Sequence, residues 1–427
     1  MRKKILATVL SVLMVGSLMG CQGTASDSTT ETGETVEATE VAEEASDSGV
    51  VELTMWAEED NFEMLNTMID SFKQEYAGHA EFDITLAVCS DGEVRNVMLG
   101  NVHEGADIFQ FPDDQLNSLI TGGVLSEVPN ADEVKAANVE GAVSAASLKD
   151  VLYAYPMTAD NGYFLYYNKN FLTEEDVQTL DGILAAAGAA GKKMTMDLTS
   201  GWYMYSFFGN TGMDMGLNED GVTNHCDWNR TDGSVTGMHV GEAIVNAISN
   251  PAFKIGGDAD LIAGALDGSV VAGISGVWNA IAIKDAWGED YGAVKLPTYT
   301  CNGNQIQMAS FKGYKMVGVN SYSEHLDWAH KLANWITNEE NQTLRFTMRN
   351  QGPSNINAAA SDEVAKVPAI AAVMDQAQYG VLQRIGNSYW GACTNFINTL
   401  SEKKPSGEDL QEVLNILNDG ITASVAG

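Results

Sequence analysis

The chain has 427 residues, with 58 acidic and 23 basic side chains and a formal net charge of −35 at pH 7. That imbalance argues against nucleic acid or anionic lipid as a partner of the folded body, since both need clustered cations, and it suits an extracellular body with neutral or cationic ligands. Five scattered cysteines with no CxxC or CxxxC pair argue against a disulfide scaffold and a thiolate zinc site.

At the N-terminus Arg2, Lys3 and Lys4 precede an apolar run at residues 5–19, shorter than the roughly 20 residues a membrane-spanning helix needs. Cations, a short apolar core and small residues make a secretory signal over residues 1–20. The ending Leu18, Met19, Gly20, Cys21 looks like a bacterial lipoprotein box, in which Cys21 carries the lipid. Loss of residues 1–20 removes three cations and takes the net charge to −38. Residues 22–50 hold eight acids, no Lys or Arg and no aromatic. Such a segment cannot bury enough apolar surface to offset its ordering entropy, so residues 21–50 read as a lipidated, disordered acidic tether.

The 377 residues from Val51 onward suggest two lobes. "VELTMW" (51–56) alternates as a strand does, and the next segment places Phe62, Leu65, Met68, Ile69 and Phe72 at helical spacing. Asp60 and Glu63 have the form of a capping box. "EFDITLAV" (81–88) alternates again, "DGEVRNVMLGNV" is helical, and "ADIFQF" (106–111) is a short buried strand with Pro112 near the next helix start. Alternating strands and helices imply an α/β fold with a mostly parallel sheet flanked by helices. Ligands bind at the carboxyl ends of such strands, which singles out residues 56–61 and 111–115.

Further on, "YAYPMTADNGYFLYYNKNF" (153–171) crowds aromatics around a polar break at residues 158–161, and a helix follows from Thr173. "MTMDLTSGWYMYSFFGN" (194–210) joins a strand to an aromatic helix start, and "VVAGISGVWNAI" (270–281) is a strand leading through small residues to Trp278. Trp328 and Trp335, seven apart on an amphipathic helix, read as core. "DWNRTDG" (227–233) resembles a distorted calcium loop but reads better as a polar hairpin. No cofactor or metal site is indicated, and no hydrolase or nucleotide-binding motif appears.

The order of segments resembles the extracellular solute-binding proteins of ABC importers, in particular the maltose/maltodextrin-binding group. It is carried by strand–Trp–acidic turn, "GADIFQF", "TGGVLSEV", "YAYPM…YYNKNF", "ISGVW", "AVKLPTY", "LANWITNEENQ", "GPSN" and "YWGA", across residues 51–427. The resemblance implies a fold of two hinged α/β lobes closing on ligand. The first lobe would comprise residues 51–157 plus 299–353, the second 158–298 plus 354–427. It also implies a monomer, anchored on the outer face of the cell membrane of a monoderm bacterium, that hands its ligand to a permease.

Sugars are bound by aromatic faces against pyranose C–H patches and by planar polar groups that satisfy the hydroxyls. By the resemblance, Trp278, Trp390 with Tyr389, and the pair Trp202 and Tyr203 would supply stacking, with Phe111 where maltose binders carry tryptophan. Asp60 with Asn61, Asp114 (with Asp113 as a near-register alternative) and Gln115 would take hydroxyls in the first lobe, and Asp160 or Asn161 at the hinge. Asn61 and Gln115 stand where maltose binders tend to have Lys and Arg; both swaps remove cations and keep hydrogen bonding. The expectation is a malto-oligosaccharide-binding lipoprotein and not an enzyme. The alternatives are a receptor for another oligosaccharide or a surface glycan hydrolase, which would use two of the plentiful acids.

Overall fold

The structure is a computed structural model and describes residues 49–424. The expected leader, Cys21 and all but the end of the expected acidic tether lie outside the described residues. Among those described, no helix is long and apolar enough to cross a membrane.

Ten strands form one hydrogen-bonded system: β1 (Val50–Ala57), β2 (Glu81–Val88), β3 (Ile108–Pro112), β4 (Tyr155–Asn168), β5 (Lys193–Met196), β6 (Phe253–Ile255), β7 (Val270–Gly276), β8 (Tyr291–Val294), β9 (Ser310–Val319) and β10 (Gly380–Leu382). Their order is β6-β5-β7-β4-β9-β3-β1-β2, with β8 on β4 and β10 on β9. In one half β1 runs parallel to β2 and β3; in the other β5 runs parallel to β6 and β7. The long strand β4 joins them. Its first part, through Gly162, pairs antiparallel with β9, and from Tyr163 onward it pairs antiparallel with β7 and β8. This is a two-lobed α/β fold of the periplasmic-binding-protein kind, each lobe a mostly parallel sheet flanked by helices.

Sequence pattern explains the strands. β1 buries alternate residues, with Val51, Leu53 and Met55 inward, whereas β3 and β7 are buried along their whole length and are accordingly unbroken or small-residue runs. Pro112 lacks an N–H, and β3 ends there. The first core gathers Val51 to Met157 with Met316 to Ile336, each fully buried Leu or Phe contributing about 1.5–3 kcal/mol. Trp328 and Trp335 lie against it as expected, and Trp335 Nε1 donates to Met68 O at 3.1 Å. A second core builds on Tyr163, Leu165, Phe207 and Trp228. Tyr299, Cys301, Ile306 and Phe311 join this second core, although the sequence reading places residues 299 onward with the first lobe.

Two local expectations are corrected. Asp60 does not cap the first helix: residues Glu59–Asn61 form a 3-10 turn, the helix Phe62–Glu75 begins directly from it, and neither element has a side-chain cap at its N-terminus. The 227–233 segment is a turn and not the expected polar hairpin: it carries no strand, Trp228 is buried in the second core, and Arg230 Nη1 donates to Gly212 O at 2.9 Å.

Candidate functional site

A cleft of about 970 Å³ opens between the two lobes where strands end in tight turns. In the first lobe β1 leads into the 3-10 turn bearing Asp60 and Asn61, and β3 into the 3-10 turn Asp113–Gln115. Asp60, Asn61, Asp114 and Gln115 all line the cleft. In the second lobe Trp202 comes from the start of the helix Gly201–Phe208, Trp278 from the turn after β7, and Trp390 from the helix Ser388–Lys403. The three tryptophans are partly exposed, as platforms must be, and line the same cleft as the acids and amides.

Each platform is braced from behind. Gly276 lies under the Trp278 indole; a Cβ there would run into the ring, so glycine lets it lie close to the strand. The indole Nε1 donates to Asp258 Oδ2 at 2.8 Å, and Ser275 Oγ holds the other carboxylate oxygen at 2.7 Å. Trp202 stacks on Phe311 with centroids 5.5 Å apart. Trp390 packs edge-on against Tyr389 at 5.1 Å.

The polar side chains are braced too. Gln115 Oε1 accepts from the Arg95 N–H at 2.8 Å, and its Nε2 donates to the Asp91 and Gly92 carbonyls, so its amide pins the turn after β2 rather than facing the cleft freely. Asp91, in that turn, pairs with Lys315 at 2.8 Å. Asn61 is 5% exposed with Oδ1 unpartnered, and Asp114 Oδ1 is buried without a partner. Burial, together with the neighbouring charge of Asp113, pushes the Asp114 carboxyl up to about 8; burial lifts Asp113 to about 6. Contacts between the lobes include Arg95 Nη2 donating to Asn387 Oδ1 at 2.9 Å, Arg384 Nη2 donating to Ser144 O at 2.9 Å, and Lys315 Nζ lying 5.9 Å from the Trp278 ring centroid.

Four expected site residues sit elsewhere. Phe111 is fully buried beside Phe109 in the first core. Tyr203 packs on Tyr163 at 5.0 Å in the second core, and Tyr389 is fully buried with its hydroxyl donating to Gly201 O at 2.8 Å. Adjacent helix residues point about 100° apart, so one of each Trp–Tyr pair faces the cleft and the other the core. Asp160 is buried at the β4 crossing, its carboxylate accepting from the Gly352 N–H, and burial lifts it to about 6. Of the hinge pair it is Asn161 that lines the cleft, with Nδ2 donating to Gln383 Oε1 at 3.4 Å. Sequence reasoning missed Asp91, Arg95, Asp258, Lys315, Gln351 and Asn387; Asp91 and Asp258, each three residues beyond the carboxyl end of a parallel strand (β2 and β6), obey a rule that could have found them.

The sequence model of the bacterial extracellular solute-binding proteins matches residues 67–372. The chain belongs to this family. Members of this family are binding proteins, not enzymes, which counts against the glycan-hydrolase alternative. The chain is 26% identical over 341 residues to the galactooligosaccharide-binding protein of Bacillus subtilis, covering 77% of this chain and 78% of that one. It is 27% identical over 341 residues to the maltooligosaccharide ABC transporter solute-binding lipoprotein of Streptococcus pneumoniae, covering 75% and 76%. A solved structure described as "with acarbose" superposes with a TM-score of 0.80 at 26% identity, over 88% of this chain and 99% of that one. The maltodextrin-binding protein MalE1 from L. casei BL23, solved without ligand, shares the fold at 24% identity and a TM-score of 0.74, over 88% and 100%.

Proposed function

We propose that this solute-binding protein is a lipid-anchored receptor on the outer cell surface that captures an oligosaccharide, with malto-oligosaccharides ranked first, and delivers it to the permease of an ABC importer. The observation that carries the reading is the composition of the cleft: Trp202, Trp278 and Trp390 line it together with carboxylates and amides. A pyranose presents apolar faces and a rim of hydroxyls, and this cleft offers a counterpart to each. The relatives named for maltooligosaccharide and galactooligosaccharide support the class and leave galacto-oligosaccharides as the runner-up.

The two lobes would close about β4 and β9, the strands that pass between them. Cys21, outside the described residues, would carry the lipid that keeps the receptor beside its permease. Titration with maltotetraose tests the reading. A receptor shifts or quenches tryptophan fluorescence saturably and returns the tetrasaccharide intact. No response to maltotetraose or to a galactotetraose would contradict it.

A further inference from the structure

Gln351 follows the helix Glu339–Arg349 and lines the cleft. Its backbone is fixed on both sides. Asn350 ends the helix in a left-handed conformation with φ 53°, and the Ala159 N–H of β4 donates to Gly352 O at 2.9 Å. The Gly352 N–H in turn donates to the Asp160 carboxylate. The turn is thus sewn to the strand about which the lobes are joined.

Its side chain is fixed as well. Arg345, 1% exposed, donates from Nη1 to Gln351 Oε1 at 3.1 Å, while its Nε and Nη2 have no partner. A guanidinium only donates, so the amide oxygen must face Arg345 and the amide nitrogen must face the other way, toward the cleft. Burial lowers the Arg345 pKa only to about 10, so the cation persists at neutral pH. Gln351 is itself 7% exposed, and its Nε2 makes no hydrogen bond within the described residues. An amide nitrogen aimed at a cleft and left unpaired awaits an acceptor.

We infer that Gln351 is a ligand-contacting residue, its Nε2 donating to an acceptor oxygen of the bound sugar, and that Arg345 is the positioning residue that fixes this orientation. The inference rests on reading the cleft as an oligosaccharide site. It places a fixed donor in a cleft that also holds carboxylates, so a hydroxyl that donates to a carboxylate can accept from Gln351 at once. Such paired recognition suits a neutral polyol.

Gln351→Glu separates the role from packing. The carboxylate keeps the acceptor toward Arg345 and nearly the same shape but loses the donor. Its ligand-free melting temperature should equal or exceed that of the parent, and its Kd for maltotetraose, or for galactotetraose if that is what the parent binds, should weaken threefold or more. A folded Gln351→Glu with less than threefold change overturns the inference. Arg345→Met and Arg345→Lys give a second, independent arm: the methionine variant should melt no lower than the parent yet bind threefold or more weakly, and the lysine, which can still donate to Oε1, should recover most of the affinity. An affinity untouched in Arg345→Met overturns the positioning role. A parent protein that binds neither tetrasaccharide overturns the oligosaccharide reading itself, and this inference with it.

Discussion

Trp278 Nε1 donates to Asp258 Oδ2 at 2.8 Å, and that single bond ties the cleft's indole platform to the start of the helix Asp258–Asp267. The indole is held in one rotamer before ligand arrives, so little ordering entropy remains to be lost on binding. Trp278→Ala should weaken maltotetraose binding by more than an order of magnitude, about 2 kcal/mol or more, and barely change ligand-free stability. Asp258→Asn, whose amide oxygen can still accept from the indole, should bind better than Asp258→Ala. Melting curves and isotherms of the three variants check this; a large stability loss in Trp278→Ala with affinity intact would return the ring to the core.

Phe111 provides the opposite case. It is fully buried in the first core. Phe111→Ala should cost about 3–5 kcal/mol of folding stability while the folded fraction binds sugar as the parent does. Chemical denaturation and a titration under native conditions separate the two effects.

The contrast between these residues shows what was legible in the sequence. Trp278 and Trp390 stand beside small residues at the ends of elements, where little else can cover a ring, and the structure places both in the cleft. Phe111 lies in a strand buried at every position, so no alternation distinguishes a cleft-facing side from a core-facing one. Tyr203 and Tyr389 adjoin their tryptophans in sequence, but one step along a helix turns a side chain to another face. Lys315 lies inside β9 and meets Asp91 from 224 residues away, a pairing that local pattern cannot carry. The alternating strands and helices were legible because burial imposes their periodicity. The return of residues 299–311 to the second core was not, because it is set by tertiary packing around Phe311.

The buried carboxyls give a pH signature. Asp114 is pushed up to about 8, and Asp113 and Asp160 to about 6, against about 3.9 in an unfolded chain. The folded protein holds protons that the unfolded chain releases. Their contribution to stability is therefore full below about pH 3.9 and is lost as pH rises through about 6 and then 8. The ligand-free melting temperature should fall between pH 5.5 and pH 8.5, and Asp114→Asn, which cannot ionise, should flatten the upper part of that fall. A parent whose stability holds level or rises across that window would contradict the burial assigned to Asp114.

Anchoring is tested at Cys21. With the thiol as the point of lipid attachment, Cys21→Ala should leave the protein in the medium or trap it unprocessed. Fractionation followed by immunoblotting reads this directly, and normal processing with full membrane retention would count against a lipid anchor.

Capture of an intact oligosaccharide between the lobes is tested most directly by isothermal titration calorimetry of the soluble body with maltotetraose and galactotetraose, the sugar being recovered and sized afterwards. The expected result is saturable binding of one tetrasaccharide per protein, for at least one of the two, with the recovered sugar unchanged in length. Absence of heat with both sugars, or shortening of either, would contradict the assignment of this cleft to oligosaccharide capture.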